Sequence, residues 1–187
     1  MQATTVTLPT EVLEDASRYV IMHETASKAV PTDALPRYNS PEVLLTTYMR
    51  HTMTAFSNYP PAWIIHFLIK SPSDRATFNS AYIKNLNFQE GDLVCGVYRV
   101  VKRTSNSVEL LFDAPESYRG PPATGMLATK VEQRGEQTVF LNDVILWRKK
   151  HESPVPLESG IGRWMHAIIA MSLMENGTQK LIKSAKV

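Results

Sequence analysis

The stretch Gln137-Thr-Val-Phe-Leu-Asn-Asp-Val-Ile-Leu-Trp-Arg-Lys-Lys150 decides the architecture. Its side chains alternate with a period of two. Val139, Leu141, Asp143, Ile145 and Trp147 fall on one face, and Thr138, Phe140, Asn142, Val144, Leu146 and Arg148 on the other. Both faces are apolar, which predicts a strand covered on both sides. Pro154 and Pro156 end the strand region, and 157–175 reads as a helix stopped at Asn176-Gly177 by a left-handed cap. That helix is apolar almost all round, through Ile161, Trp164, Met165, Ile168, Ile169, Met171, Leu173 and Met174. It is predicted to touch the sheet on one side and an internal cavity or a second subunit on another.

Upstream, Arg134-Gly135-Glu136 is a turn that pairs 137–150 with a strand over 125–133. The same period runs through 93–102, where Cys95, Val97, Arg99 and Val101 alternate with Val94, Gly96, Tyr98 and Val100. Thr104-Ser-Asn106-Ser then turns that strand into another over 108–113. Before residue 92 the period is helical. Ser40-Pro41 caps a helix over 42–56 with Val43, Leu44, Met49 and Met53 as its buried stripe. Tyr59-Pro60-Pro61 breaks it, and a helix over 62–69 lays Trp63, Ile64, Phe67 and Leu68 on something apolar; another helix covers 75–86. Residues 18–25 read as a first strand, with a helix over 11–29 as the alternative.

The fold class predicted is therefore α+β: a curved antiparallel β-sheet wrapped around a long C-terminal α-helix, with extra helices between the first strand and the others. The chain divides into an N-terminal arm, 1–16, and a single domain, 17–187. Its 187 residues suit one domain with a real core.

The composition is 43 % hydrophobic and 20 % charged with a net charge of +2, which excludes collagen-like and wholly disordered chains. The basic excess is not concentrated in one segment, so no dense phosphate-binding face is expected and nucleic acid is not a predicted partner. A single cysteine, Cys95, cannot form an internal disulfide and is read as a packing residue. The sequence start shows no secretory or mitochondrial pattern, so a cytoplasmic location is expected. Ile161 to Met174 is interrupted by Arg163, His166 and Ser172 and falls short of a bilayer span, so no membrane partner is expected. The five histidines show no ligand spacing and no glycine loop cradles a phosphate, so neither metal nor cofactor is predicted.

Asp143 lies among large apolar neighbours on its strand, and Arg99 sits between Val97 and Val101. A carboxylate and a guanidinium so placed each need a partner. Pairing across one cavity would serve both. Such a pair could be catalytic or a structural ion pair, and either side chain could instead face solvent. In the catalytic reading Asp143 takes a proton from an acidic enol and Arg99 holds a carboxylate or developing oxyanion. His166 is a further acid or base if it points inward. Tyr98, Tyr118, Trp147 and Trp164 are candidate cavity-lining residues, with core packing as the plainer reading. Arg119 sits beside Tyr118 on a proline-rich loop that reads as a lid or a surface turn, and Glu109 is a backup carboxylate.

Through Glu90-Gly91-Asp92-Leu-Val-Cys-Gly96-Val-Tyr-Arg99-Val100, Val101-Lys-Arg-Thr104-Ser-Asn-Ser-Val108-Glu109-Leu110 and Gly162-Arg163-Trp164-Met165-His166, the C-terminal half resembles the helix-grip superfamily. That superfamily holds lipid-transfer START domains, pollen-allergen-like proteins and aromatic polyketide cyclases. The resemblance implies a cavity between sheet and long helix for an apolar small molecule. The glycine-rich loop of pollen-allergen-like members is missing, which argues against nucleotide or ribonuclease functions. The chain is also similar to small fungal cyclases that close a pyrone ring. Together these imply a cofactor-independent polyketide cyclase or lyase of secondary metabolism, acting on a hydrophobic polyketide-like chain beside a polyketide synthase. The alternatives are a non-catalytic carrier of a hydrophobic ligand and a homodimer whose terminal helix is the interface.

Overall fold

Six strands form one antiparallel sheet in the order β1-β6-β5-β4-β3-β2 in a computed structural model that describes residues 8–120 and 124–185. Met1 to Thr7 of the expected arm, and Pro121 and Pro122 of the proline-rich loop, lie outside the described residues. The strands are β1 (Tyr19–Pro31), β2 (Leu93–Val94), β3 (Tyr98–Arg103), β4 (Ser107–Phe112), β5 (Thr124–Arg134) and β6 (Gln137–Lys149). Helices α2 (Pro41–Phe56), α3 (Pro60–Leu68), α4 (Pro72–Ala76) and α5 (Ser80–Asn85) lie between β1 and β2. A short α1 (Thr10–Glu14) precedes the sheet and α6 (Gly160–Ser184) follows it. This is the helix-grip arrangement expected from the sequence.

Local chemistry explains most boundaries. The Ser40 hydroxyl accepts the Val43 N–H at 3.3 Å, with Pro41 at the first helical position of α2. Ser159 does the same for Gly162 at 3.0 Å and starts α6, three residues later than expected because Pro156–Glu158 forms a 3-10 turn. Gly135, at φ 61°, makes the tight link between β5 and β6. The first strand runs six residues past its expected end, because 13 residues of β1 pair with β6 from Tyr19↔Lys149 to Pro31↔Gln137.

Three expectations are corrected. The strand expected over 93–102 is instead a hairpin, since Cys95 and Gly96 take φ 47° and 69° and fold Leu93–Val94 back onto Tyr98 and Arg99. The helix over 75–86 is two short helices, interrupted at Thr77 and restarted by Asn79, whose side chain accepts the Ala81 N–H. The terminal helix does not stop at Gly177. It continues to Ser184, and Gly177 is buried against α2, where a Cβ would meet Thr52 Oγ1 at 2.5 Å and Tyr48 Cε2 at 2.8 Å.

The strand register sorts the sheet into two faces. The inner face carries Val100, Val108, Leu110, Val131 and Phe140, fully covered by Leu45, Tyr48, Met49 and Met53 of α2 and by Leu181 of α6. The expected α2 stripe is thus shifted, with Val43 exposed and Leu45 and Tyr48 inside. The Tyr48 ring lies 4.6 Å from that of Phe140, and burial pushes its hydroxyl up to about 12. The outer face holds a smaller cluster, Met126, Ile145 and Trp147, under Val12 of α1. Both faces of β6 are therefore covered along part of their length, as its alternation predicts.

Candidate functional site

The expected Arg99–Asp143 pair does not form. β3 and β6 are separated by β4 and β5, which places their backbones about 14 Å apart. Each charge has a nearer partner. Arg99 Nε donates to Asp113 Oδ2 at 2.6 Å and a terminal guanidinium nitrogen donates to the Gly91 carbonyl at 3.2 Å. Asp143 Oδ1 accepts the Thr25 hydroxyl at 2.5 Å and lies 3.0 Å from His23 Nε2. Both residues sit on the outer face, opposite Leu111 and Ala128 respectively. Glu109 is there too, across Ala128 from Asp143 and 3.3 Å from Lys102 Nζ. These carboxylates border a polar groove of about 270 Å³ that also takes in Thr104, Asn106, Ser107 and Lys130. Trp147 is likewise outside the gripped face, buried beneath α1.

The inner face offers a different site. Its far end is incompletely covered: Phe112, Leu127, Val144 and Leu146 are half-buried, as are Ile169 and Leu173 above them. Register ties this floor together through Leu127↔Val144 and Gly125↔Leu146, with Glu24 beside Val144 and Met22 beside Leu146. Two helices flank the floor. The first half of α6 lies over β1, where His166 Nδ1 is 2.7 Å from Glu24 Oε2. α3 begins next to α6, through Tyr59 Oη and Ser172 Oγ at 2.5 Å. It ends at the β4–β5 loop, where the Arg119 N–H donates to the Leu68 carbonyl and Ile69 bridges Tyr118. The space between these two helices, over the half-covered floor, is the candidate cleft.

Helical spacing shows what lines it. At 100° per residue, Ile161, Met165 and Ile168 share a flank with Ser172, the side that meets Tyr59 and α3. All three are exposed. On α3, His66 packs on Phe78, so Ile64 and Leu68 occupy the opposite flank, toward α6. The helix over 62–69 was expected to lie on something apolar. Only Ala62 and the following Ile69 are buried, and Trp63, Ile64 and Phe67 are in the open. The inner wall toward β3 is an aromatic ladder, Phe56–Tyr98–Phe112–Tyr118, with successive centroids 5.8, 5.8 and 6.2 Å apart. Burial pushes the Tyr98 hydroxyl up, and that of Tyr118 less far.

Of the residues singled out by sequence, Tyr98 and Tyr118 lie along the inner wall, His166 faces β1 from the sheet side of α6, and Arg119 stands exposed at the end of α3 with a guanidinium N–H donated to the Glu116 carbonyl. Trp164 projects outward from α6. Asp143, Arg99, Glu109 and Trp147 are on the other side of the sheet. Glu24 was missed. Its signal was a carboxylate in the apolar register Val20, Met22, Glu24, Ala26 of the first strand. A Glu24 carboxylate can only accept, so the contact is satisfied by a proton on His166 Nδ1; in the neutral ring that tautomer has Nε2 as its acceptor. Among the described residues no three His, Cys, Asp or Glu side chains converge as a metal-ligand group.

No family model matches the chain, and no curated protein matches it. Among solved structures, Ara h 8.0201 is similar to it at 10 % identity with a TM-score of 0.39, over 88 % of this chain and 99 % of that one.

Proposed function

We propose that the cleft between α3, the first half of α6 and the half-covered end of the inner sheet face binds an apolar small molecule. The observation that carries this is the flank of α6 itself. Ile161, Met165 and Ile168 stand exposed above a floor of Leu127, Val144 and Leu146 that the chain leaves incompletely covered. Full burial of each such side chain is worth about 1.5–3 kcal/mol, a gain that a guest would collect.

The finer reading is a cofactor-independent cyclase acting on a polyketide-like chain, and His166 is the group that supports it. With Nδ1–H held by Glu24, Nε2 accepts the proton of an acidic enol. The enol oxygen then bonds to an acyl carbon of the folded chain. The imidazolium returns the proton to the leaving alkoxide or thiolate, so the step needs no outside reagent. Glu24 is the positioning residue. Arg99 and Asp143, on the opposite face, have no part in this cleft. A carrier without chemistry is the second reading, favoured by the apolar character of the rest of the lining.

Titration with a fluorescent polyene fatty acid tests the binding claim. Saturable binding is expected, weakened about tenfold or more by Ile168→Asp and little changed by His166→Gln. Binding indifferent to Ile168→Asp would remove the cleft from consideration. Turnover of a diketo thioester that survives His166→Gln unchanged would leave the carrier reading.

A further inference from the structure

We propose that the outer surface around the cleft mouth is a docking face for an anionic lipid membrane, engaged in the plane of the interface rather than by a span. The proposal does not depend on what the cleft holds. It concerns side chains that point away from the sheet: Trp63 and Phe67 on α3, 60 % and 70 % exposed, and Trp164 and Met171 on α6, 65 % and 52 % exposed. On α6 Trp164 and Met171 lie opposite the buried side set by His166, Ile169 and Leu173; on α3 Phe67 lies roughly opposite Ala62 and Ile69, and Trp63 stands on the flank beside His66. The first half of α6 rests on the inner face of the sheet, and α3 is joined to it at Tyr59 and Ser172, so the two sets stand on neighbouring helices. Exposed aromatic and Met side chains grouped in this way mark an interaction site.

Charge selects the occupant. Between Tyr59 and Lys70, and between Ser159 and Met174, there is no Asp or Glu. The charges on these segments are Lys70 and Arg163, with His66 and His166. Lys70 Nζ stands 5.2 Å from the Phe67 ring centroid, which places an ammonium at the edge of the apolar surface. Arg75, bonded to the Ile69 carbonyl, and the exposed Arg119 extend the basic rim. The carboxylates nearby are Glu175, one turn beyond Met171 and engaged by Lys28, Glu158, which is engaged by Arg148 at 2.6 Å, Glu116, and Asp74, which accepts from Ser117. An apolar centre with Trp and a basic border suits an anionic bilayer surface, where the rings sit at headgroup depth and each cation near the lipids adds to the attraction. A second copy of the chain suits it less, because a two-fold contact would set the same cations against themselves. No helix among the described residues is long and apolar enough to cross a membrane. The proposal thus revises the expectation of no membrane partner only as regards the surface.

The tryptophans supply the test, since Trp147 is buried beneath α1 on the far side of the sheet. Trp147→Phe leaves the two surface tryptophans as reporters, and Trp63→Phe with Trp164→Phe leaves Trp147. Vesicles of phosphatidylcholine and phosphatidylserine at roughly 3:1, with brominated acyl chains, should quench and blue-shift the first protein and not the second. Phosphatidylcholine vesicles alone should bind more weakly. Phe67→Glu with Met171→Glu should lower partitioning about tenfold or more while the circular dichroism spectrum and melting temperature stay unchanged. Absence of quenching, or partitioning indifferent to those two substitutions, overturns the proposal. So does a concentration-dependent dimer in sedimentation that the same substitutions dissolve in a protein that ignores vesicles.

Discussion

Cys95 shows how much a single residue hides from its sequence context. Alternation among valines makes it one step in a strand, yet its backbone is left-handed at φ 47°, followed by Gly96 at φ 69°. A Cβ on Gly96 would lie 2.3 Å from Ile69 Cδ1, so the turn is pinned against the end of α3. The thiol is fully buried, and burial pushes its pKa up. The thiolate is the reactive form. Cys95 should therefore resist Ellman's reagent in native buffer and react stoichiometrically in denaturant. Rapid labelling of the native protein would contradict this placement. The packing role read from the sequence survives, and the strand does not. His166 and Glu24 make the converse case: both residue types were visible, but their meeting depends on α6 crossing β1.

At the scale of elements, Gly177 decides how closely α6 approaches α2. Asn176-Gly177 has the chemistry of a helix end, and the helix passes through it because absence of a side chain is what the crossing requires. Tyr48 is packed on Phe140 and accepts the Asn142 amide at 3.3 Å, so its ring has no freedom to retreat. Gly177→Ala would gain about 1 kcal/mol in helix propensity and lose about 1–3 kcal/mol to overpacking. A net destabilisation of up to about 2 kcal/mol is expected from denaturant unfolding, and a stabilised variant would show that the two helices are not in close contact there. The α3 helix went astray for a related reason. Apolar spacing shows that a helix has a greasy face. It does not say whether this chain supplies the cover.

For the whole molecule, three ion-paired carboxylates set the response to acid: one joins β1 to α6, one joins β6 to the 3-10 turn before α6, and one lies within β5. Lys28 with Gln179 holds Glu175, Arg148 holds Glu158, and Lys130 with Arg134 holds Glu132, each below the usual carboxylate value. Groups depressed on folding stabilise above their unfolded pKa near 4.5 and lose that contribution as pH falls through the folded value. His51 adds to the same trend at higher pH. Burial, then Lys180 and Lys84, lower its pKa from 6.5, so the unfolded chain binds the extra proton first. Melting temperature should therefore decline as pH drops just below 6.5 and decline again below 4.5. His51→Gln should flatten the first decline and leave the second. A variant with both declines intact would refute the assignment of the first to His51.

By itself the sequence determined the β3–β4 and β5–β6 hairpins, the capped start of α2, and the order that yields a gripped sheet. These follow from period, turn chemistry and caps, which act over a few residues. Which face each charge occupied was decided only by the tertiary structure. Asp143 and Arg99 carry the residue types of an active pair, but strand order sets two strands between them and register turns both outward. Glu24 and His166, 142 residues apart, are brought together by the crossing of a helix over a strand, a contact that no local pattern encodes.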